Sequence, residues 1–149
     1  MVSTVRPVFV LDSSVAVKWY VEKDEPDVAK ALRLIEVHID GGCRLKAPSF
    51  LLLEVLNALT MGRKLPAALA LEALEHLKGL SLDLEDLRWP PLASAIEVAS
   101  ACGTTLYDSY FLALALESGS VLVTADEVFL RRARRYPNLV SLRQLRLPD

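Results

Sequence analysis

Two short apolar runs, VFVL at 8–11 and VLVT at 121–124, each break directly into a turn carrying an aspartate and then into a helix-forming stretch. A continuous β-favouring run without polar alternation is the pattern of a strand covered on both faces. Such strands need helices above and below, and parallel neighbours are joined by crossovers of helical length. The chain supplies both. Helical spacing is read around 15–21, then from Pro26 through Val28, Ala31, Leu32, Ile35 and Ile39 to Gly41-Gly42. Further helices are expected at 50–63, from Pro66 to Gly79 with Leu69, Ala73, Leu74 and Leu77 as the apolar face, after Pro90-Pro91 to Ala101, and over 107–117 and 126–136. Weaker strand signals lie at 44–47, at 80–87, where apolar and polar residues alternate, and at 139–142. Strands separated by helices predict an α/β chain: a three-layer α/β/α sandwich with a mostly parallel central sheet.

A chain of 149 residues fits a single domain, taken here as 1–149, with enough length to bury a sizeable core. Apolar residues make up 52 % and charged residues 24 %, which excludes a disordered tail. The net charge of −2 argues against nucleic-acid binding through overall basicity, so any such partner must meet a local basic patch or metal ions. The start, MVSTVRPVFVLDSS, lacks the pattern of a secretory signal, and Glu54, Asp108 and Glu117 interrupt every long apolar stretch. Cys43 and Cys102 form no CxxC pair and read as free thiols in a reducing cytoplasm.

Four acids stand out against this background. Asp12 and Asp126 follow directly on strands, where ligands bind in open α/β sheets. Glu54 sits among leucines in FLLLEVLNAL, on the same helical face as Asn57, and Asp108 lies among apolar and aromatic residues in TTLYDSYFLALALE. Helix capping accounts for Asp12, Asp108 and Asp126 one at a time but not for Glu54, for which the alternative is a narrow solvated stripe on an otherwise buried helix. Carboxylates gathered at one sheet edge repel one another, and a hard dication with oxygen ligands resolves that repulsion. Zinc is disfavoured, because His38 and His76 are expected on exposed helical surfaces without an HxxxH or paired cysteines. Mg²⁺ or Mn²⁺ is expected, activating water for phosphoryl chemistry.

The segments VFVLDSSVAVKWY, APSFLLLEVLNAL, TLYDSYFLALA and VLVTADEVF, taken in order, resemble a VapC-type PIN domain over nearly the whole chain. The resemblance implies that Asp12, Glu54, Asp108 and Asp126 hold Mg²⁺ or Mn²⁺ for a ribonuclease directed at single strands, leaving 5′-phosphate and 3′-hydroxyl ends. It implies a hydroxyl role near the site for Thr124 and a polar role for Asn57. It also implies a cognate antitoxin protein and a homodimer. Ser13, next to the first acid, is assigned a lesser part through its hydroxyl or backbone N–H. Many relatives carry a basic residue where this chain has Ala125, which removes a phosphate contact there.

Arg131, Arg132, Arg134 and Arg135 form a basic cluster after Asp126, serving either as a solvated helical surface or as an RNA-backbone contact. Lys18, Lys46, Arg63 and Lys64 are lesser candidates. Trp19, Tyr20 and the leucine-rich helices at 50–77 offer apolar surface to a partner, or simply pack the core. Two other readings stay open. In one, the acids are caps of a non-catalytic interaction domain. In the other, Asp12 belongs to a phosphoaspartyl phosphatase or receiver domain, although no DxD, double acid or strand-end lysine accompanies it.

Overall fold

The computed structural model describes residues 5–148; the first four residues, on which the reading of a non-secretory start partly rests, lie outside the described residues. Five strands build one sheet: β1 (Val8–Leu11), β2 (Arg44–Pro48), β3 (Asp83–Glu85), β4 (Val121–Thr124) and β5 (Leu139–Ser141). All their pairings are parallel, in the order β3-β2-β1-β4-β5. The chain steps outward from β1 to β3 on one side and then returns to place β4 on the other side of β1. The switch point therefore falls between β1 and β4, where Phe9, Val10 and Leu11 pair with Val121, Leu122 and Val123.

Among the described residues, seven α-helices cover the sheet: α1 (Ser13–Ala16), α2 (Val28–Ile39), α3 (Leu51–Asn57), α4 (Ala67–Gly79), α5 (Trp89–Cys102), α6 (Leu106–Ser118) and α7 (Glu127–Arg132). The three-layer α/β/α architecture follows, with the sheet wholly parallel. α6 is the central helix of the core. Every residue from Ser109 to Ala115 is buried, because its faces meet β1, β2 and β4 on one side and α5 on the other. A helix apolar all round is one enclosed all round. Gly103 and Gly119 end α5 and α6 in the left-handed conformation expected of such stops.

Several expected boundaries move, each for a local reason. Pro26 does not open α2; Asp27 at φ 59° turns the chain first, and the helix begins at Val28. Pro90 and Pro91 lie inside the first turn of α5, where their missing N–H groups are not needed. The strand expected at 80–87 shrinks to β3, because Leu80 still caps α4 and Ser81 turns at φ 55°. The helix expected to reach Tyr136 stops at Arg132, where Ala133 leaves helical backbone at φ −104°, ψ 21° and a turn follows, its Tyr136 N–H donating to the Ala133 carbonyl. On α4, Ala70, Ala73 and Leu77 face the core, whereas Leu69 is 46 % exposed, so the buried face is rotated from the one expected. α3 runs on into a π-helical turn, Ala58–Gly62.

His38 is not a surface residue. Its Nδ1 accepts the Leu45 N–H at 3.1 Å, which leaves Nε2–H to donate to the Leu80 carbonyl at 2.8 Å, so the ring stitches α2 to β2 and to the end of α4. His76 is exposed and meets the Tyr20 hydroxyl at 2.7 Å. Cys43 and Cys102 are free thiols. Among the described residues, no helix is long and apolar enough to cross a membrane.

Candidate active site

Asp12 ends β1 and is 2 % exposed, a burial that a carboxylate tolerates only with partners. Its Oδ2 has two. The Thr124 hydroxyl donates at 2.7 Å from the end of β4, and the Ser14 hydroxyl donates at 2.6 Å from the first turn of α1. Each hydroxyl in turn accepts a backbone N–H from the turn after β4: Ala125 N–H to Ser14 Oγ at 2.9 Å, and Asp126 N–H to Thr124 Oγ1 at 3.1 Å. Asp12 Oδ1, in contrast, is buried without a hydrogen-bond partner.

Asp126 follows at the head of α7. Its Oδ1 accepts the N–H groups of Val128 at 2.9 Å and Phe129 at 3.1 Å, so it caps that helix. Asp108 lies in the first turn of α6, where its N–H donates to the Thr105 cap hydroxyl at 3.1 Å. Glu54 rides on α3, half-buried, and its Oε1 is a second buried oxygen without a partner.

Electrostatics tie these four side chains to one place. Burial pushes the Glu54 carboxyl up to about 7, helped by the charges of Asp12 and Asp108 and partly offset by the Ser13 hydroxyl. Burial also raises Asp108 to about 6, with Asp12 and Asp126 adding repulsion. Asp12 is raised mainly by burial, against the lowering effect of Ser14 and Thr124, and Asp126 repels it as well. Acids far apart in sequence thus lie within each other's field beyond the β1 and β4 ends. Clustered, perturbed carboxyls at a switch point mark a functional site.

An all-carboxylate donor set with two unsatisfied buried oxygens fits a hard dication such as Mg²⁺ or Mn²⁺. Among the described residues, no three His, Cys, Asp or Glu side chains are drawn tightly enough together to enclose an ion unaided.

The remaining candidates are spread out. Asn57 is exposed one turn beyond Glu54. Arg132 donates to the Gly103 carbonyl at 2.8 Å and Arg135 to the Ala101 carbonyl at 3.2 Å, so these two close the C-terminus of α5. Arg131 and Arg134 are exposed and make no hydrogen bond or ion pair among the described residues. Lys18, Lys46 and Arg63 are tied up in ion pairs with Glu25, Glu85 and Glu25 respectively. Sequence reasoning missed Ser14. The run Asp12-Ser13-Ser14 offered neighbouring hydroxyls, and only the start of α1 at Ser13 decides that the second one turns back onto Asp12.

Residues 9–135 match the family model described as PIN domain. Solved structures share the fold. The chain covers 93 % of itself and 93 % of PAE2754 from Pyrobaculum aerophilum, at 24 % identity and a TM-score of 0.64. VapBC2 from Rickettsia felis, solved bound to a DNA fragment from its promoter, is similar over 90 % of this chain and 96 % of that one, at 16 % identity and TM-score 0.64. Mycobacterium tuberculosis VapC20, described as a sarcin–ricin loop cleaving toxin, is similar over 83 % of this chain and 93 % of that one, at 15 % identity and TM-score 0.64. No curated protein matches.

Proposed function

This chain belongs to the PIN domain family, and on that premise we propose that it is a metal-dependent endoribonuclease, the toxin of a toxin–antitoxin pair. One observation carries the reading. Asp12 Oδ1 and Glu54 Oε1 are buried and unpartnered within a group of carboxyls that repel one another. Four helix caps would not produce that arrangement. Asp126 does cap α7, as a non-catalytic domain would have it, yet the cap uses only Oδ1 and says nothing of Glu54.

The residues that would hold the ion are Asp12, Glu54, Asp108 and Asp126. A bound Mg²⁺ or Mn²⁺ supplies charge neutralisation at the scissile phosphate and a water of lowered pKa. The chain does the rest by placement. Thr124 and Ser14 hold Asp12 by one oxygen and present the other. Burial and mutual repulsion raise Glu54 to about 7 and Asp108 to about 6, so a cation held by these two would displace protons. Ser13, Asn57, Arg131 and Arg132 stand as substrate contacts. Arg131 is free for a phosphate, and Arg132 has one N–H committed to Gly103. No side chain is required as a covalent nucleophile.

The neighbouring folds include toxin–antitoxin complexes, among them one from Klebsiella pneumoniae, which supports an antitoxin partner for this chain. A groove of about 360 Å³ lined by Trp19, Tyr20, Leu65, Leu69, Ala73 and His76 suits an amphipathic antitoxin segment. Exposed Leu87, Trp89, Ile96 and Tyr107 offer a homodimer an apolar face. The decisive experiment is cleavage of single-stranded RNA by purified protein. Activity is expected with Mn²⁺ or Mg²⁺, none in EDTA, and 5′-phosphate product ends. Cleavage that persists in EDTA and survives Asp12→Asn would overturn the assignment.

A further inference from the structure

We propose that Ser14 is a positioning residue that fixes which oxygen of Asp12 faces the cation. The inference rests on the metal-site reading given above and extends it to a residue outside the four acids. The geometry is a matter of counting protons. A serine or threonine hydroxyl has one proton to give and two lone pairs to receive with. Ser14 gives its proton to Asp12 Oδ2 at 2.6 Å and receives the Ala125 N–H at 2.9 Å. Thr124 gives its proton to the same Oδ2 at 2.7 Å and receives the Asp126 N–H at 3.1 Å. The two oxygens lie 3.3 Å apart, as a pair sharing one acceptor would.

Both hydroxyl protons are therefore committed, and Oδ2 is taken. Oδ1 is left as the only acceptor Asp12 can offer, buried and unpartnered. The carboxylate is held to a single-oxygen contact with anything that enters. The same pair of hydroxyls also fixes the backbone N–H groups of Ala125 and Asp126, so the first acid and the last are set by one latch between β1 and β4. Ser14 and Thr124 each carry one of the two bonds to Oδ2, so loss of Ser14 leaves the Asp12 carboxylate held by a single hydroxyl. Removing a hydrogen-bond partner of a metal-ligating side chain changes metal affinity by about ten- to a hundredfold.

The test is Mn²⁺ titration of the full chain, followed by the electron paramagnetic resonance of the free ion, on wild type, Asp12→Asn, Ser14→Ala, Ser14→Thr and Ser14→Cys. The ¹⁵N–¹H spectrum of each in EDTA provides a metal-free readout. Ser14→Ala should bind Mn²⁺ about ten- to a hundredfold more weakly than wild type. Its spectrum should remain folded, with the Ala125 amide displaced. Ser14→Thr, which keeps the hydroxyl, should bind close to wild type. Ser14→Cys, similar in size but a weak donor, should behave like Ser14→Ala; it stands in for the alanine variant if that one fails to fold. Equal Mn²⁺ affinity for wild type and for Ser14→Ala or Ser14→Cys overturns the role of Ser14 alone. Failure of wild type to bind Mn²⁺, or binding unaffected by Asp12→Asn, overturns the metal site itself.

Discussion

The Lys18 ammonium lies 2.7 Å from Glu25 Oε1 and 2.7 Å from the Pro26 carbonyl, and the lysine is only 3 % exposed. Glu25 meets Arg63 as well, so the turn between α1 and α2 is clasped from both ends. The clasp holds a segment in which Asp24 and Asp27 both adopt positive φ, at 56° and 59°.

Removing Glu25 strands a buried ammonium with one carbonyl for company, whereas removing the ammonium leaves Glu25 paired to Arg63. Glu25→Ala should cost about 3 kcal/mol in urea unfolding and Lys18→Met about 1 kcal/mol or less. Equal losses would show that the two ends of the clasp are not energetically distinct. RNA affinity should be indifferent to Lys18→Met, since that charge is already spoken for inside the fold.

Glu54 and Asp108 hold their protons more tightly folded than unfolded, up to about 7 and about 6. Between the ordinary carboxyl range and those values the folded state carries more protons, so metal-free stability is fully present at the acidic side and is lost as pH rises. In EDTA the Tm should fall from pH 5 to pH 7.5. Mn²⁺ should raise Tm more at pH 7.5 than at pH 5. Glu54→Gln should flatten the metal-free slope; an unchanged slope would remove Glu54 from the cluster.

Asp126 has two duties that a pair of substitutions separates. Asp126→Asn keeps an oxygen to cap Val128 and Phe129 and should leave stability nearly intact, while RNA cleavage falls by about a hundredfold or more. Asp126→Ala should lose the activity and a further ~1 kcal/mol of stability with the cap. Full activity in Asp126→Asn would confine this residue to capping.

The arginines after Asp126 should divide in the same way. Arg131→Gln and Arg134→Gln should weaken RNA binding and reduce the salt dependence by about one counterion each, at constant Tm. Arg132→Gln and Arg135→Gln should lower Tm, because each removes a donor from the end of α5, and Arg132→Gln should weaken RNA binding as well. Identical salt slopes for all four variants would argue against an RNA track here.

The strands were legible where burial on both faces left nothing but Val, Phe and Leu, as in β1, and where an aspartate closed the run. Glu54 stood out because a carboxyl among leucines is costly to bury unpaired, although a narrow solvated stripe accounts for it as well. What stayed hidden depended on a third element. The Ser14 hydroxyl, and not that of Ser13, donates to Asp12 because β4 supplies Ala125 and Thr124 to complete the latch, a fact of strand order that no local pattern encodes. Arg132 and Arg135 read as surface charge until the end of α5 is laid beside them. His38 looked solvent-facing because α2 alone does not show that β2 and the end of α4 close over it.

α6 has no water-facing stripe along 109–115, so it has no freedom to roll without opening the densely packed interior on every side. Asp108, one residue before that stretch, is anchored to a helix enclosed on all sides, while Glu54 and Asp126 ride on the shorter α3 and α7. A substitution inside 109–115 would therefore be felt at the acidic site by way of Asp108, with no contact to the other three acids needed.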